Sequence, residues 1–222
     1  EMVHDGDCIQ LGFGGIPNAI GFELMNRHDL GIHTEQIGAS MAHMIQSGVV
    51  TNRYKNLDRG WSVGAFIIAD NFTYNYVNNH PRIMMRRGRY TNDPMIIAQQ
   101  DNMVSINAAL QIDLTGQVAA EAIGTVQWSG TGGATDYAYG AYHSRGGRAM
   151  LCQISTAKKG TISRIAPILD PGSIVSVSRN LTDMVITEYG VAKLRQRTVK
   201  QRVENLIAVA HPDFRAELRK EA

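Results

Sequence analysis

Short apolar runs alternate along this chain with stretches in which apolar residues recur every three or four positions. The runs are typical of buried strands, and the recurring pattern is typical of amphipathic helices. The predicted strands are residues 7–11, 30–35, 63–69, 103–107, 110–114, 149–154, 163–165, 174–176 and 184–186. The predicted helices are residues 18–27, a helix after residue 38, and residues 71–79, 134–143, 198–210 and 214–221. This alternation predicts an α/β fold with an open, mostly parallel sheet flanked by helices.

One domain is predicted for residues 1–222, because no internal repeat or low-complexity linker interrupts the pattern. The chain starts at Glu1 without an initiator methionine, and its first predicted strand follows within a few residues. We therefore expect it to be a piece of a longer protein.

Composition argues against several classes of protein. The formal net charge is +2, so overall electrostatics favours no nucleic-acid partner. The two cysteines, Cys8 and Cys152, lie far apart in sequence, which argues against a zinc site or a disulfide scaffold, and no metal is expected. No apolar run reaches the length of a membrane span and no signal peptide is visible, so the sequence predicts a cytoplasmic protein without a membrane partner.

Glu35 ends the predicted strand 30–35, and the chain then leads into a helix. In open α/β sheets ligands bind at the carboxyl ends of strands. A glutamate held there by rigid backbone can serve as a carboxylate nucleophile. The alternative is a solvated glutamate at a helix N-terminus, where the helix dipole favours negative charge, and position alone favours that alternative.

Two glycine-rich turns are candidate anion sites. Residues 12–17 follow the first strand, and Pro17 suits the first turn of the helix that comes next. Residues 129–133 precede another helix, and consecutive backbone N–H groups there can form an oxyanion site. A dinucleotide fingerprint fails in both turns, because Pro17 and Thr135 stand where a third glycine is needed. Close packing of helix on strand is the alternative explanation of the first turn.

Six segments together resemble a known family. They are residues 10–17 (QLGFGGIP), 30–35 (LGIHTE), 102–107 (NMVSIN), 129–133 (SGTGG), 163–165 (SRI) and 187–192 (TEYGVA). In this order they resemble the acetyl-CoA hydrolase/transferase family, and within it the 4-hydroxybutyrate and butyryl-CoA:acetate CoA-transferases most. The resemblance covers essentially the whole chain. It implies a CoA-transferase-like domain, the C-terminal half of such an enzyme, whose N-terminal domain is absent from this sequence.

The resemblance also implies a chemistry. Glu35 would attack an acyl-CoA thioester, and the released CoA thiolate would then convert the mixed anhydride into a γ-glutamyl-CoA thioester. A short-chain carboxylic acid would accept the CoA by the reverse steps. Coenzyme A is thus expected as a substrate, with acyl-CoA, carboxylic acids and the N-terminal domain as partners, and a homo-oligomer is expected.

The resemblance assigns further residues to the CoA and acyl site. The first glycine turn and the residues before it would line this site: Gln10, Leu11, Gly12, Phe13 and Gly14. Asn107 and Leu110 would flank the acyl pocket, and Gly132 and Gly133 would approach the thioester oxygen. Two departures, Ala134 in place of the usual glutamine and Tyr137 in place of the common phenylalanine, leave the acyl or acceptor preference open.

Three alternatives to a transferase stay open. A hydrolase would use the same Glu35 with water as acceptor, and a non-catalytic module would bind CoA without a covalent adduct. The glycine turns suggest a nicotinamide-dependent enzyme, which the failed fingerprint opposes. His33 is interpreted as a packed, hydrogen-bonded histidine rather than an acid–base group, and Asp136 is interpreted as a structural carboxylate near a turn.

Overall fold

A computed structural model describes residues 2–222, which form two compact units. The first unit runs to Asn107 and adds Asp136–Arg148. The second unit comprises Ala108–Thr135 and Ala149–Ala222. Each unit is built from short strands and helices, as the alternating sequence pattern predicts.

The first unit carries most of the residues that sequence reasoning marked as functional. Its strands are β1 (Cys8–Leu11), β2 (Gly31–Ile32), β3 (Gln36–Ile37), β4 (Ser62–Gly64), β5 (Phe66–Ile67), β6 (Ile83–Met85) and β7 (Met103–Ala108, to Asn107 in this unit). Its helices are α1 (Gly15–Glu23), α2 (Ala39–Gln46), α3 (Asn71–Val77), α4 (Gly88–Thr91), α5 (Pro94–Ile97) and α6 (Ala134–His143, from Asp136 in this unit), with a 3-10 turn at Leu24–Asn26.

Strand β1 lies between β2 and β7, and both pair with it in parallel. Cys8 stands opposite Gly31 on one side and Met103 on the other. Ile9 and Ile32 are fully buried, as expected for parallel strands covered on both faces. Two smaller parallel pairs, β3 with β5 and β4 with β6, follow in the same unit.

The second unit mixes parallel pairs with hairpins. Its remaining elements are β8 (Gln111–Asp113), β9 (Val118–Ala119), β10 (Ala122–Ile123), β11 (Val126–Gln127), β12 (Arg148–Cys152, from Ala149 in this unit), β13 (Thr156–Ala157), β14 (Ile162–Ser163), β15 (Ile165–Ala166), β16 (Met184–Thr187), β17 (Gly190–Lys193), α7 (Val199–Val209) and α8 (Arg215–Lys220), with 3-10 turns at Lys158–Gly160 and Pro212–Phe214. Strand β12 pairs in parallel with β16, which pairs antiparallel with β17. Strand β15 pairs in parallel with β8.

The predicted fold class is confirmed: the chain is a mixed α/β protein with mostly parallel central strands flanked by helices. Helix α1 begins at Gly15, which places Pro17 in its first turn as predicted. Across residues 2–222, no helix is both long enough and apolar enough to cross a membrane.

Four strand predictions differ from the structure, and the first of these, residues 163–165, spans the end of β14 and the start of β15 rather than one strand. Residues 63–69 are not one strand but two, because the amides of Ala65 and Phe66 both donate to the Glu35 carbonyl and turn the chain between β4 and β5. Ile68 is 54% exposed, so the run is not covered on both faces either. Residues 30–35 contain only the two-residue strand β2, with isolated bridges beside it. Residues 174–176 form no strand, and the nearest ladder contact is a single bridge at Val177.

Candidate active site

Backbone hydrogen bonds on both sides hold Glu35 between β2 and β3. The amide of Thr34 donates to the Val63 carbonyl at 3.0 Å. The Glu35 carbonyl accepts from the amides of Ala65 and Phe66 at 2.8 and 3.1 Å. Because neighbouring segments bind the chain directly before and at Glu35, its Cα has little freedom to move. The side chain itself is half-buried.

The Glu35 carboxylate is oriented by an amide that sequence reasoning missed. Nδ2 of Asn92 donates to Oε1 of Glu35 at 3.0 Å. Asn92 is oriented in turn, because Oγ1 of Thr91 donates to its Oδ1 at 2.9 Å. No pattern marks Asn92 in the sequence, since it follows the four-residue helix α4 and lies 57 positions after Glu35. A carboxylate with one oriented donor and partial exposure is suited to attack a substrate from a fixed direction.

Asp136, in the first turn of α6, also lies beside Asn92. Burial raises the pKa of Asp136, a hydrogen bond with the Asn92 side chain opposes that shift, and the negative charge of Glu35 adds to it. The Asn92 amide therefore lies between two carboxylates. The interpretation of Asp136 as a merely structural carboxylate is incomplete, because it interacts electrostatically with Glu35.

A single backbone carbonyl, that of Thr91, binds two buried side chains beneath the site. Nε2 of His33 lies 3.1 Å from the Thr91 oxygen, and the Tyr137 hydroxyl donates to it at 2.7 Å. Burial, with the nearby Lys55 ammonium as a second cause, lowers the pKa of His33 to about 4. His33 is therefore neutral at pH 7, and it is the packed, hydrogen-bonded histidine that the sequence predicted. A phenylalanine at position 137 would lack the hydroxyl that binds Thr91.

Gln10, Ser105 and Asn107 form a closed polar network at the carboxyl ends of β1 and β7. The Gln10 amide exchanges hydrogen bonds with the Asn107 amide at 3.0 and 3.1 Å. The Ser105 hydroxyl donates to Oε1 of Gln10 at 2.9 Å and accepts from Asn107 at the same distance. All three residues are buried. In this structure the Gln10 and Asn107 side chains hold the two strands in register, and their contact with a ligand stays a prediction.

A cavity of about 320 Å³ opens beside the first glycine turn. Its lining residues come from the end of β1, the starts of α1 and α2, and the segments around β3 and β5: Leu11, Gly12, Phe13, Gly14, Gly15, Asn18, Gln36, Gly38, Ala39, Ser40, Met41, Ile68 and Ala69. The N-caps Gly14 and Gly38 form no side-chain cap, although Oδ1 of Asn18 accepts from the Ser40 amide of α2 at 3.1 Å. The dipoles of the two helices favour an anionic group in this cavity. Gln36, the residue after Glu35 in the chain, contributes to the lining, whereas Glu35 itself does not.

Two positions of that turn require glycine, Gly12 for lack of space and Gly14 for its backbone conformation. A Cβ on Gly12 would overlap Oδ1 of Asn107, and Gly14 has a φ of 120°. Leu11, Gly12, Phe13 and Gly14 all line the cavity, and their contact with CoA or an acyl group stays a prediction. Phe13 is 69% exposed, so its ring is available for an apolar contact.

The remaining predicted residues, Leu110, Gly132 and Gly133, belong to the second unit. Leu110 is half-buried, and its amide donates to the Ala119 carbonyl at 2.9 Å. Gly132 is exposed and has a φ of 57°, while Gly133 is buried directly before α6. Their predicted roles at the acyl pocket and the thioester oxygen stay predictions. Among residues 2–222, no group of three or more histidine, cysteine, aspartate or glutamate side chains is arranged to hold a metal.

Comparison with known proteins finds CoA transferases that are similar to this chain. The chain is 48% identical over 218 residues to the succinyl-CoA:cyclohexane-1-carboxylate CoA transferase of Geobacter metallireducens, which covers 98% of this chain and 50% of that protein. It is 44% identical to the 4-hydroxybutyrate coenzyme A transferase of Clostridium kluyveri, over 100% of this chain and 52% of that protein. The chain thus spans about half the length of the curated relatives it matches.

The structure superposes on the crystal structure of RipA from Yersinia pestis with a TM-score of 0.95 and 46% identity, over 100% of this chain and 50% of that one. A family model described as the acetyl-CoA hydrolase/transferase C-terminal domain matches residues 70–222. This chain therefore belongs to the acetyl-CoA hydrolase/transferase family and matches its C-terminal domain.

Proposed function

We propose that this chain is the part of a CoA-transferase that carries the nucleophile. The enzyme would move CoA between a short-chain acyl-CoA and a carboxylic acid through a γ-glutamyl-CoA thioester on Glu35. The observation that carries the proposal is the geometry of Glu35, a half-buried carboxylate that is bound by Asn92 at 3.0 Å and whose backbone is anchored by neighbouring segments. Family membership supports the same assignment.

The proposed reaction consists of four acyl transfers that balance without a cofactor. A carboxylate oxygen of Glu35 attacks the thioester carbonyl, the C–S bond breaks, and CoA leaves as the thiolate. The thiolate then attacks the γ-carbonyl of the resulting mixed anhydride and releases the donor acid as its carboxylate. The acceptor carboxylate attacks the glutamyl thioester, the C–S bond breaks, and CoA leaves as the thiolate from a second mixed anhydride. The thiolate finally attacks the acyl carbonyl of that anhydride and releases the Glu35 carboxylate. The four steps together replace one difficult displacement by easier acyl transfers.

Asn92 supplies a donor where negative charge develops. Its Nδ2 already donates to Oε1 of Glu35 in the resting enzyme. Attack through Oε2 leaves Oε1 as the carbonyl oxygen, so Oε1, which Asn92 binds, carries the oxyanion when the carboxyl carbon Cδ becomes tetrahedral. Loss of one such donor raises the barrier by about 3–4 kcal/mol in other enzymes. His33 takes no proton in this scheme, since burial keeps it neutral and no step requires a base.

The cavity beside the glycine turn is the proposed place of the CoA thioester and acyl group. Its lining combines apolar side chains with the N-terminal amides of α1 and α2, which suits a ligand with an apolar chain and a carboxylate or phosphate. Acetyl-, butyryl- and 4-hydroxybutyryl-CoA are the proposed donors. The relatives' names range from cyclohexane-1-carboxylate to 4-hydroxybutyrate, so acyl preference varies within the family.

The proposal also concerns the whole protein. We infer that residues 1–222 form the C-terminal domain of a cytoplasmic, homo-oligomeric enzyme and that its N-terminal domain is a partner. The half-length match to the curated relatives supports this domain arrangement. Light scattering on the full-length protein would test oligomerisation, and assays of residues 1–222 against the full-length protein would test the need for the N-terminal domain.

Covalent labelling is the test of the mechanism. The full-length protein is incubated with acetyl-CoA or butyryl-CoA without an acceptor, and peptide mass spectrometry locates CoA on the peptide that contains Glu35. Borohydride reduces the thioester and fixes the site, and Glu35→Gln is the control that lacks the nucleophile at nearly constant size. We expect an adduct in the wild type that disappears on addition of acetate.

The same experiment separates the alternatives. The family description covers both hydrolases and transferases. An adduct that decays in buffer at the rate seen with acetate would support the hydrolase. CoA binding without any adduct would refute the covalent mechanism and support a CoA-binding module.

A further inference from the structure

The outer edge of β2, the edge opposite β1, is completed by two side chains. At either end of this edge, a backbone amide is bound by another segment. The Leu30 amide donates to the Val49 carbonyl, and the Thr34 amide donates to the Val63 carbonyl. Between them, the Ile32 amide donates to Oδ1 of Asn52 at 2.9 Å, and its carbonyl accepts from Nζ of Lys55 at 2.8 Å. Asn52 and Lys55 therefore take the place of a neighbouring strand at Ile32.

Lys55 is buried although the sequence places it in a polar loop. Its side chain is 2% exposed, and its ammonium also donates to the Trp61 carbonyl at 2.7 Å. Burial lowers the pKa of Lys55, while the nearby Cys8 and Asp58 oppose that shift. A lysine with so little water around it depends on these carbonyl partners, because an ammonium removed from water is costly.

Gly31 provides the path by which Lys55 reaches Ile32. A Cβ built on Gly31 would lie 2.6 Å from Cγ of Lys55 and 3.0 Å from its Cδ. These atoms form the packed stem of the lysine rather than its mobile end, so a methyl group at position 31 would displace the whole side chain. Gly31 thus leaves the space through which Lys55 reaches and binds the β2 edge.

We propose that Lys55 is a positioning residue for Glu35 and that Gly31 is required for its approach. The inference rests on the proposed function of Glu35. Nζ of Lys55 joins the Ile32 carbonyl to the Trp61 carbonyl, and two residues after Trp61 the Val63 carbonyl accepts from the amide of Thr34, the residue before Glu35. Lys55 therefore sets the position of β2 relative to the segment that anchors the nucleophile. A misplacement of about 1 Å at a reacting group costs about 100-fold in rate.

The first test replaces Lys55 by methionine in the full-length protein. Lys55→Met keeps an unbranched stem and removes the ammonium, and Lys200→Met changes an exposed lysine on α7 as the matched control. We expect Lys55→Met to lower the rate of glutamyl-CoA formation per CoA-binding site by about tenfold or more. The affinity for CoA should be nearly unchanged. Lys200→Met should match the wild type. A lysine needed only for stability would lower the unfolding temperature and leave the rate per binding site unchanged, which would overturn the proposal.

A double-mutant cycle of Gly31→Ala and Lys55→Ala gives a second test that does not depend on Lys55→Met. Gly31→Ala should slow adduct formation while Lys55 is present, because its methyl group displaces the lysine stem. In the Lys55→Ala background the added methyl group meets no stem, so Gly31→Ala should have little further effect. If the rate losses of the two variants were additive, Gly31 and Lys55 would act independently, which would contradict the proposal. If Lys55→Met failed to bind CoA through misfolding, Gly31→Ala alone would decide, and a wild-type rate there would refute the inference.

The outcomes distinguish this inference from the proposed function. Absence of an adduct in the wild type would refute the covalent mechanism itself. A wild-type adduct together with an unchanged rate in Lys55→Met and Gly31→Ala would refute only the positioning role.

Discussion

Removal of the Asn92 amide tests the candidate site most directly. Asn92→Ala deletes the donor that lies 3.0 Å from Oε1 of Glu35 and removes a hydrogen-bond partner of Asp136. A hydrogen bond to a charged group contributes about 1.5–3 kcal/mol, and the lower end applies because Glu35 is only half-buried. This hydrogen bond already exists in the resting enzyme, so only the part of it that strengthens in the transition state changes the rate. Oxyanion donors in other enzymes contribute about 100- to 1,000-fold in this way.

We therefore expect glutamyl-CoA formation to slow by about 100-fold or more in Asn92→Ala. Rapid quenching with acetyl-CoA measures this rate, and equilibrium binding of free CoA measures affinity, which should change little. Asn92→Asp should be at least as slow, because it places another carboxylate between Glu35 and Asp136. Gln99→Ala is the matched control, as it removes an exposed amide that donates to a backbone carbonyl at 3.0 Å. A rate for Asn92→Ala close to that of Gln99→Ala would refute the assigned role.

Three further predictions concern stability. Gly12→Ala should lower the free energy of unfolding by about 1–3 kcal/mol, because its Cβ overlaps Asn107. Gly15→Ala is the control and should not lower it, because a Cβ there meets nothing within 4 Å. Urea unfolding of the two variants compares these free energies. The pKa of His33 is lowered from 6.5 to about 4, so as pH falls the unfolded chain binds a proton on this histidine before the folded chain does. The stability present above pH 6.5 should therefore be lost towards pH 4, by about 3 kcal/mol from this residue. His33→Phe should flatten this pH dependence of the free energy of unfolding. Thr198→Ala should remove the capping box of α7 and cost about 1 kcal/mol without slowing adduct formation, which thermal unfolding and the labelling assay check together.

Local pattern predicted the parts of the fold that depend on neighbouring residues. Strand β1, the glycine turn and α1 follow one another as expected, because an apolar run, consecutive glycines and a proline in the first helical turn each restrict the backbone locally. The strand at residues 63–69 was predicted wrongly for the same reason. An apolar run indicates burial, but here a distant carbonyl, that of Glu35, turns the chain at Ala65.

The hydrogen bonds between polar side chains that are distant in sequence could not be predicted from the local sequence pattern of the first unit. The Gln10 amide binds Asn107, 97 residues away, because the parallel register of β1 and β7 brings the two strands' carboxyl ends together. The predicted contact of Gln10 with a ligand stays a prediction. Asn92 and Lys55 carried no signal at all, since each lies in a short or polar segment with no periodicity.

The sequence by itself determined the α/β class, the family resemblance and the choice of Glu35 as candidate nucleophile. These follow from apolar periodicity, glycine placement and an ordered set of short motifs, all of which are read along the chain. Only the tertiary structure decided that Asn92 orients Glu35, that His33 is neutral, and that Lys55 crosses Gly31 to bind Ile32. The physical reason is that a hydrogen bond or a pKa depends on which groups meet at about 3 Å and how much water they lose, and strand register and burial set both.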